Sequence, residues 1–527
     1  MENTLYYGDN LDILRNKDYI KNESVDLVYL DPPFNSKATY NVLFREVGGG
    51  EKSKAQIEAF TDFWTWDEQS QRTYEYLISN QNVPVKLSKL IHTLHDFLGT
   101  NDMSAYLVMM SARLIELHKV LKKSGSLYLH CDPTASHYLK LVLDAIFDEE
   151  NFIAEIIWAY GTASGGRTKG SKPVKGHDTI LAYAKSYGSH IYNKIYLPYN
   201  QKYITERFTN VDEDGRIYRT RKRDNGGIQK QYLDESLGVP LSDVWTDIKQ
   251  LYAYHLIKRK QEELGYPTQK PLALLERIVE MASNKGEVVL DPFCGCGTAI
   301  DASQKLDRKW IGIDITHLAV NLIKKRIHDK YPKAHFEVVG EPKDLEGAKQ
   351  LANTDRYQFE WWALSLVDAR PINKKQKGSD KGADGIKIIN TPEANQIITI
   401  LVQVKSGEHV KSGDIRDLKG TMEREKAQFG IFITLEEPTK DMIAEAVSSG
   451  TMKVPLVDKS IPKVEILTIK QLLDGKKPMI SYIPRKDETY QKAVAEEDEE
   501  DDDEPKLYTP KPKKVKAPLN PKKYKKL

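Results

Sequence analysis

Residues 287–300 read EVVLDPFCGCGTAI, and this stretch decides the fold. The apolar run at 288–290 predicts a buried strand, and an amphipathic helical pattern begins just after the glycines at 295 and 297. Glycines at this spacing let the backbone approach a ligand closely, and the start of a helix offers free N–H groups. The pattern predicts a ligand at the carboxyl end of a strand, in a helix-covered sheet.

An acid ends the next apolar strand. Asp314 follows Gly297 by 17 residues, close to the offset of about 20 at which an acid binds ribose hydroxyls in nucleotide folds. No Lys-Ser or Lys-Thr pair follows the glycines, which argues against a triphosphate loop. Cys294 and Cys296 lack a second pair of ligands, so zinc is not expected there.

Strand and helix patterns alternate through residues 1–340. The predicted strands lie at 25–30, 126–130, 287–290 and 310–313, and the predicted helices at 112–122, 136–147 and 272–281. Continuous apolar strands that alternate with helices are typical of a mostly parallel sheet with helices on both faces. The predicted fold class is α/β.

The tetrapeptide Asp31-Pro32-Pro33-Phe34 directly follows the first of these strands. Two prolines stiffen the turn, so an acid and an aromatic ring are held at the carboxyl end of a strand. The acid can accept a hydrogen bond from an exocyclic amine, and the ring can stack on a base. This is equipment for holding a flipped nucleobase. A purely structural turn is the alternative.

Together these motifs resemble the S-adenosylmethionine-dependent amino-methyltransferases of DNA. The order is tetrapeptide, then basic region, then glycine loop, which resembles the circularly permuted β group with its Rossmann-like fold. Supporting segments are residues 8–10, 177–183 and 266–271. The resemblance spans roughly residues 4–330.

The resemblance implies roles for individual residues. Asp31 and the carbonyl of Pro32 would bind the target amine within the turn completed by Pro33, and Phe34 would stack on the base. The positions expected to bind S-adenosylmethionine are Asp9, Thr268, Lys270, Asp291, Phe293, Gly295, Gly297 and Asp314. Asp at the head of the tetrapeptide looks like the adenine-N6 type, whereas Ser there would look like cytosine-N4.

A basic insert at about 160–260 is expected to recognise the target. Residues 167–230 hold 14 Lys and Arg against 6 Asp and Glu, and eight aromatic residues lie among them. Cations that neutralise phosphates and rings that stack on bases suit nucleic-acid binding. Arg219, Arg221, Lys222 and Arg223 are the expected DNA contacts; a solvated basic loop is the alternative.

A second strand–helix unit is predicted at 345–485. Asp384 lies at a turn, and the strand after it ends in Gln403-Val404-Lys405, where alternation puts Gln403 and Lys405 on one face. The pattern resembles the Asp…Gln-x-Lys variant of restriction-endonuclease-like nucleases, with an upstream acid at Glu360. Asp384, Gln403 and Lys405 are the predicted catalytic residues, with Mg²⁺ held by Asp384 and Gln403. An inert DNA-binding module is the alternative, since Gln replaces the usual Glu.

Composition limits the remaining choices. Net charge is +2 and there are three cysteines, so neither a globally basic protein nor a disulfide scaffold is expected. Residues 486–527 are expected to be a disordered tail, with nine acids at 496–504 followed by nine lysines. Neither a signal peptide nor a membrane span is recognisable. A cytoplasmic, DNA-associated, prokaryote-like protein is predicted, and a homodimer is left open.

The predicted function is methyl transfer from S-adenosylmethionine to adenine N6 in double-stranded DNA, within a restriction–modification system. The chain would also carry a nuclease-like domain. Two alternatives stay open: a cytosine-N4 methyltransferase, and a methyltransferase whose C-terminal domain only binds DNA.

Overall fold

The computed structural model describes residues 2–33, 39–45, 54–61, 65–161, 173–222, 226–251, 269–372, 382–391, 396–407, 409–453, 460–482 and 486–487. Two predicted site residues, Phe34 and Thr268, lie outside these ranges, as do Arg223 and nearly all of the tail.

The strands of the first 340 residues are β1 (Thr4–Tyr7), β2 (Val25–Leu30), β3 (Thr39–Arg45), β4 (Lys54–Thr61), β5 (Leu121–Cys131), β6 (Phe152–Ala159), β7 (His177–Ala184), β8 (Tyr196–Leu197), β9 (Asn210–Val211), β10 (Ile217–Lys222), β11 (Ile228–Tyr232), β12 (Val239–Pro240), β13 (Val244–Trp245), β14 (Val288–Asp291), β15 (Lys309–Asp314) and β16 (Glu337–Val339). The helices of the same region are α1 (Asn10–Arg15), α2 (Glu68–Ser79), α3 (Val85–Leu98), α4 (Asp102–Val120), α5 (Ser136–Phe147), α6 (Gln201–Arg207), α7 (Leu272–Ala282), α8 (Thr298–Lys305) and α9 (His317–Lys330).

A central sheet organises this unit, and its strand order is β13-β6-β7-β5-β2-β14-β15-β1-β16. All neighbours run parallel except β7, which is antiparallel to both β5 and β6. Because β2, β14, β15 and β1 are adjacent and parallel, their carboxyl ends meet at one edge. That edge collects the predicted tetrapeptide, the glycine loop and the residues after β1.

Helices cover both faces of the central sheet. One face packs on α3, α4 and α5, with a core that includes Leu114, Leu129 and Leu143. The other face packs on α7 and α8 through Tyr128, Trp158 and other buried residues. Burying both faces explains why the central strands are continuous apolar runs.

The region between β7 and α7 carries two small sheets, β11-β10-β9 and β12-β8. Strand β13 then returns to the edge of the central sheet. Residues 177–183, which the resemblance to the DNA amino-methyltransferases predicts as a strand before the recognition region, form most of β7 between β5 and β6.

The C-terminal unit has its own sheet, ordered β17-β18-β19-β20-β23, with β24 also paired to β18. Its strands are β17 (Arg370–Pro371), β18 (Gly385–Thr391), β19 (Gln396–Lys405), β20 (Phe429–Thr434), β21 (Thr451–Lys453), β22 (Ser460–Pro462), β23 (Val464–Thr468) and β24 (Lys486–Asp487). Its helices are α10 (Leu345–Thr354), α11 (Arg356–Ser365), α12 (Ser412–Arg424), α13 (Lys440–Ser448) and α14 (Ile469–Leu473). Short 3₁₀ helices occur at Glu149–Asn151 and Met479–Tyr482.

The predicted class is confirmed: a Rossmann-like α/β unit precedes a smaller α/β unit. Two details differ from expectation. Helix α4 starts at Asp102 and not near 112. The prediction missed its first turns because the helix is buried on nearly all sides and so lacks a clear apolar stripe. Lys486–Asp487, assigned to the tail, pair with β18. Within the described residues, no helix is long and apolar enough to cross a membrane.

Candidate active sites

Asp31 lies just beyond β2, where its carboxylate meets a lysine from the segment before α7. Its Oδ2 is 2.5 Å from Lys270 Nζ, and both side chains are largely buried. The sequence analysis assigned Lys270 to the cofactor, but the structure places its charge on the predicted catalytic acid. Pro32, next to Asp31, is buried and Pro33 is half-buried. The turn therefore packs against the protein, in keeping with the stiff turn expected from two prolines.

The second oxygen of Asp31 is the notable atom of this site. Asp31 Oδ1 is buried and has no hydrogen-bond partner among the described residues. A buried carboxylate oxygen without a donor is costly, so such an atom in a native fold calls for an explanation. An incoming N–H group would satisfy it.

Asp291 ends β14 at the same edge and is almost fully buried. Its Oδ1 accepts a hydrogen bond of 3.0 Å from the Phe293 N–H. Burial raises the pKa of Asp291 well above its usual value; the nearby charges of Asp31 and Asp314 raise it further, whereas Lys270 lowers it. A cationic ligand would relieve this concentration of acids.

The glycine loop uses backbone conformations that favour glycine. Gly295 and Gly297 have φ of 49° and 76°, and Gly297 is the N-cap of α8. A Cβ added at Gly297 would lie 2.7 Å from Ile323 Cγ1 of α9. Gly297 therefore allows the loop to pack closely on α9. The sequence predicted only the other role of such a glycine, close approach of the backbone to a ligand.

Asp314 ends β15 and holds the glycine loop in place. Its Oδ2 accepts from the Gly295 N–H at 2.9 Å, and its Oδ1 accepts from the backbone and hydroxyl of Thr316. Burial raises the pKa of Asp314 to about 6, against the lowering effect of these hydrogen bonds. A carboxylate can accept about four hydrogen bonds, so these three contacts leave room for a further donor such as a ribose hydroxyl.

Asp9 follows β1 and caps α1 through a 2.7 Å bond from the Leu11 N–H. Its other oxygen pairs with Arg113 at 2.8 Å. Arg113 also donates to Asn10, whose side-chain amide donates to the Pro292 carbonyl at 2.7 Å. Arg113 and Asn10 thus tie α4 to the glycine loop. β1 precedes residues 8–10, so the sequence analysis missed one core strand.

The described acids suit a cation at this edge. Asp291 and Asp314 lie at the ends of two adjacent strands, whereas the charge of Asp31, at the end of the strand on the other side of β14, is balanced by Lys270. A sulfonium with an α-ammonium group brings positive charge, and its ribose brings hydroxyl donors. The residues present therefore fit S-adenosylmethionine.

A buried polar chain runs beside the tetrapeptide, across three strands. Tyr29 Oη lies 3.2 Å from His130 Nδ1, and His130 Nε2 lies 3.3 Å from Asp178 Oδ2. Asp178 also pairs with Lys175 at 2.6 Å. Burial alone would raise the pKa of Asp178, but the His130 hydrogen bond and the charges of His130, Lys175 and Lys270 bring it well below normal.

No predicted site includes this Tyr29–His130–Asp178 chain. One feature of the sequence indicates such a chain: each of the three residues is a polar residue within an apolar strand. Pairing β7 next to β5 was needed to bring Asp178 to His130, and the strand order could not be read from the pattern.

The second predicted site lies where β18 begins and β19 ends. The Asp384 N–H donates to the Val402 carbonyl at 2.8 Å, and Asp384 Oδ2 accepts from the Val404 N–H at 2.7 Å. Gln403 lies between these two hydrogen bonds. Its side-chain Oε1 is buried without a hydrogen-bond partner among the described residues. The structure therefore brings Asp384 and Gln403 together, as predicted.

Lys405 is on the same face as Gln403 and is 3.5 Å from Asp414 in the first turn of α12. Glu360 is buried on α11. Among described residues, no three His, Cys, Asp or Glu side chains are grouped so as to hold a metal. The two predicted Mg²⁺ ligands are one carboxylate, Asp384, whose Oδ2 already accepts from the Val404 N–H, and one neutral amide, Gln403.

The insert differs from expectation at one cation. Arg219 is only 9% exposed and donates to Gln231 Oε1 at 3.0 and 2.8 Å. Its guanidinium lies 5.5 Å from the ring of Tyr203 and 5.0 Å from that of Phe208. Arg219, one of the expected DNA contacts, thus bonds within the insert, and three of the predicted stacking rings surround it: Tyr199, Tyr203 and Phe208.

Fold and site define the class. A Rossmann-like unit holds an acid-headed tetrapeptide beside a glycine loop, and the DNA methylase family model matches residues 25–325. The chain belongs to the DNA methylase family. A restriction endonuclease model matches residues 351–460, so the C-terminal unit is restriction-endonuclease-like.

Several curated proteins are similar to this chain. Type II methyltransferase M.EcaI of Enterobacter cloacae is 23% identical over 404 residues, 68% of this chain and 77% of that protein. Type II methyltransferase M.BamHI of Bacillus amyloliquefaciens is 26% identical, over 62% of this chain and 57% of its own length. DNA adenine methyltransferase YhdJ of Escherichia coli K12 is 26% identical, over 62% of this chain and 82% of that protein. The chain is a DNA methyltransferase that uses S-adenosylmethionine.

Proposed function

We propose that the protein methylates N6 of adenine in double-stranded DNA, as the modification activity of a restriction–modification system. The observation that carries the proposal is the buried Asp31 Oδ1, which has no hydrogen-bond donor among the described residues. An exocyclic amine of a flipped base supplies the missing N–H. Asp31 then orients the amine lone pair toward the cofactor edge formed by Asp291 and Asp314.

The chemistry demands positioning more than proton transfer. S-Adenosylmethionine supplies an electrophilic methyl group on a sulfonium. The protein would hold the attacking nitrogen in line with that methyl, so that the N–C bond forms as the methyl–sulfur bond breaks and S-adenosylhomocysteine leaves, and the proton lost by the amine would pass to Asp31 Oδ1. Such alignment can contribute about 7–11 kcal/mol of the barrier reduction. Lys270 fixes the Asp31 carboxylate through Oδ2 and leaves Oδ1 for the amine. Phe34 is proposed to stack on the base.

Adenine is favoured over cytosine because an acid, not a serine, heads the tetrapeptide. The similarity to a DNA adenine methyltransferase of Escherichia coli supports this choice. The test is to incubate DNA with the protein and S-adenosylmethionine, digest it to nucleosides, and separate them by chromatography with mass detection. We expect N6-methyladenosine in its deoxy form. N4-methylcytosine alone would show that the base assignment is wrong.

A second activity is proposed for the C-terminal unit: Mg²⁺-dependent cleavage of DNA. The supporting observation is the buried amide oxygen of Gln403 beside Asp384, for which the described ranges supply no hydrogen-bond donor. Mg²⁺ bound there would polarise a phosphate and an attacking water, and Lys405 would orient that water. Cutting of unmethylated plasmid in Mg²⁺, absent in chelator, tests this proposal.

A further inference from the structure

A buried group of charges lies beneath the glycine loop, where α8 and α9 meet. Asp301 of α8 is fully buried, and Arg326 of α9 is only 4% exposed. Asp301 Oδ2 lies 3.4 Å from Arg326 Nε and 2.5 Å from Lys330 Nζ. Well-packed apolar side chains often stabilise a core as well as a buried ion pair does. These charges therefore point to a role beyond packing.

The hydrogen bonds of Arg326 go to the loop and not to the acid. Its Nη1 donates to the Cys296 carbonyl at 2.8 Å and to the Thr298 hydroxyl at 3.3 Å. Its other two guanidinium nitrogens make no hydrogen bond within the part of the chain that the structure describes. Asp301 thus balances the charge, while the directional contacts of the guanidinium hold the carbonyl between the two glycines of the loop.

Helix α9 meets the loop at two points on one face. Ile323 and Arg326 are three residues apart on the helix, so their side chains are neighbours. Ile323 fills the space where a Cβ at Gly297 would lie 2.7 Å away, and Arg326 holds the Cys296 carbonyl. The peptide that joins Cys296 to Gly297 is therefore fixed from the side of α9. Its orientation sets the direction of the first N–H groups of α8, which have no capping side chain because residue 297 is glycine.

We propose that Arg326 positions the glycine loop for S-adenosylmethionine. It acts through the Cys296 carbonyl and not by contact with the cofactor, so it is a positioning residue. The cofactor carries a carboxylate on its methionine part, and N–H groups at the start of a helix bind anions. A loop whose peptide is not held must be ordered when the cofactor binds, and such ordering lowers affinity. Arg326 thus keeps the loop ordered before binding.

Substitution of Arg326 tests this role directly. R326M removes the donor to the Cys296 carbonyl. We expect the Kd for S-adenosylmethionine to rise roughly ten- to hundredfold, the effect of losing a hydrogen bond from a charged group. R326K keeps a cation beside Asp301, but one ammonium replaces a planar group that reaches the acid and the carbonyl together. It should bind the cofactor about three- to tenfold more weakly.

Lys330→Ala is the matched control. It removes the other cation from Asp301 and leaves the contact between Arg326 and the loop in place. We expect a lower free energy of unfolding, measured by denaturant titration, and an unchanged Kd for S-adenosylmethionine. The control thus separates the stability of the ion network from the position of the loop.

Calorimetry on the full chain, without DNA, gives the Kd of each protein. Steady-state transfer gives a second readout: in both Arg326 variants the KM for the cofactor should rise, and kcat at saturating cofactor should not change, because Arg326 acts on cofactor binding alone. Calorimetry needs no target base, so it decides this proposal even if the protein methylates cytosine in place of adenine.

Two results would overturn the proposal. One is a Kd equal to that of the wild type in R326K and R326M; where R326M does not fold, R326K decides alone. The other is an equal rise of the Kd in Lys330→Ala, which would show that affinity follows the stability of the ion network and not the contact with Cys296.

Discussion

The two acid sites of this chain lie at opposite ends of their strands, and their carboxylates have different hydrogen-bond partners. Asp31 lies at the carboxyl end of a central strand; Lys270 binds one of its oxygens, and no residue that the structure describes hydrogen-bonds to the other. Asp384 lies at the start of a strand, and a backbone N–H occupies one of its oxygens. In the second site the oxygen that lacks a hydrogen-bond partner in the described part of the chain is Oε1 of the neighbouring Gln403.

This difference suits Asp31 Oδ1 to accept a hydrogen bond and Gln403 Oε1 to bind a metal ion. At Asp31 the vacant lone pairs belong to a charged oxygen, which binds an N–H strongly. At Gln403 they belong to a neutral amide, which binds a hard cation more weakly than a carboxylate would. We therefore expect methyl transfer at the first site to depend strongly on the Asp31 carboxylate. We expect cutting at the second site to depend on a metal ion held by few protein ligands.

The largest expected effect is at Asp31. Asp31→Asn keeps the shape of the side chain but loses its charge, so we expect transfer to fall about 10²–10³-fold. Binding of S-adenosylmethionine should change little, because Asp31 faces the amine. Single-turnover transfer of a labelled methyl group measures the first, and calorimetry the second. Cutting, if present, should persist, and its loss would show that the sites are not separate.

The reciprocal change is Lys405→Ala. We expect cutting to fall at least about 10²-fold while methyl transfer is unchanged, since the sites belong to different sheets. Gln403→Glu sharpens the contrast: a carboxylate should lower the Mg²⁺ concentration needed for cutting. Plasmid nicking across a Mg²⁺ series measures both. Unaltered cutting in Lys405→Ala would remove this residue from the site.

A third prediction concerns the buried chain beside Asp31. Asp178→Ala leaves His130 without its acceptor, and an unsatisfied buried group costs about 1–3 kcal/mol. We expect a lower free energy of unfolding and a modest loss of transfer, with cutting unaffected. Denaturant titration measures the first. Asp247→Ala, which breaks a more exposed ion pair with Arg277, is the control and should cost less.

The smallest effect is a pH dependence at Asp314. Its pKa is raised to about 6 by burial, so the folded state binds more protons than the unfolded state just below that pH. Stability from this group therefore falls as pH rises toward 6. Ribose hydroxyls donate to the ionised form, so cofactor affinity should rise roughly tenfold from pH 5 to 7. Asp314→Asn should flatten this profile.

Sequence alone predicts the parts of this molecule in which pattern and chemistry coincide. Strands such as 25–30 and the turn at Asp31 follow from an apolar run ended by an acid and two prolines. The pairing of Lys270 with Asp31 could not be predicted, because the two are far apart in the chain. Arg219 shows the reverse error: a basic residue in a basic stretch is buried, because Gln231 and three aromatic rings surround it.

The central claim is that Asp31 Oδ1 accepts a hydrogen bond from the exocyclic amine. After the methylated site is mapped, the direct test is a double-mutant cycle on DNA binding, with S-adenosylhomocysteine bound. Wild type and Asp31→Asn are each measured on a duplex with adenine at the target and on one with purine, which lacks the amine. Differences in base-pair stability cancel in the cycle. The account predicts a coupling of about 1.5–3 kcal/mol, lost with the carboxylate, and equal discrimination by both proteins would contradict it.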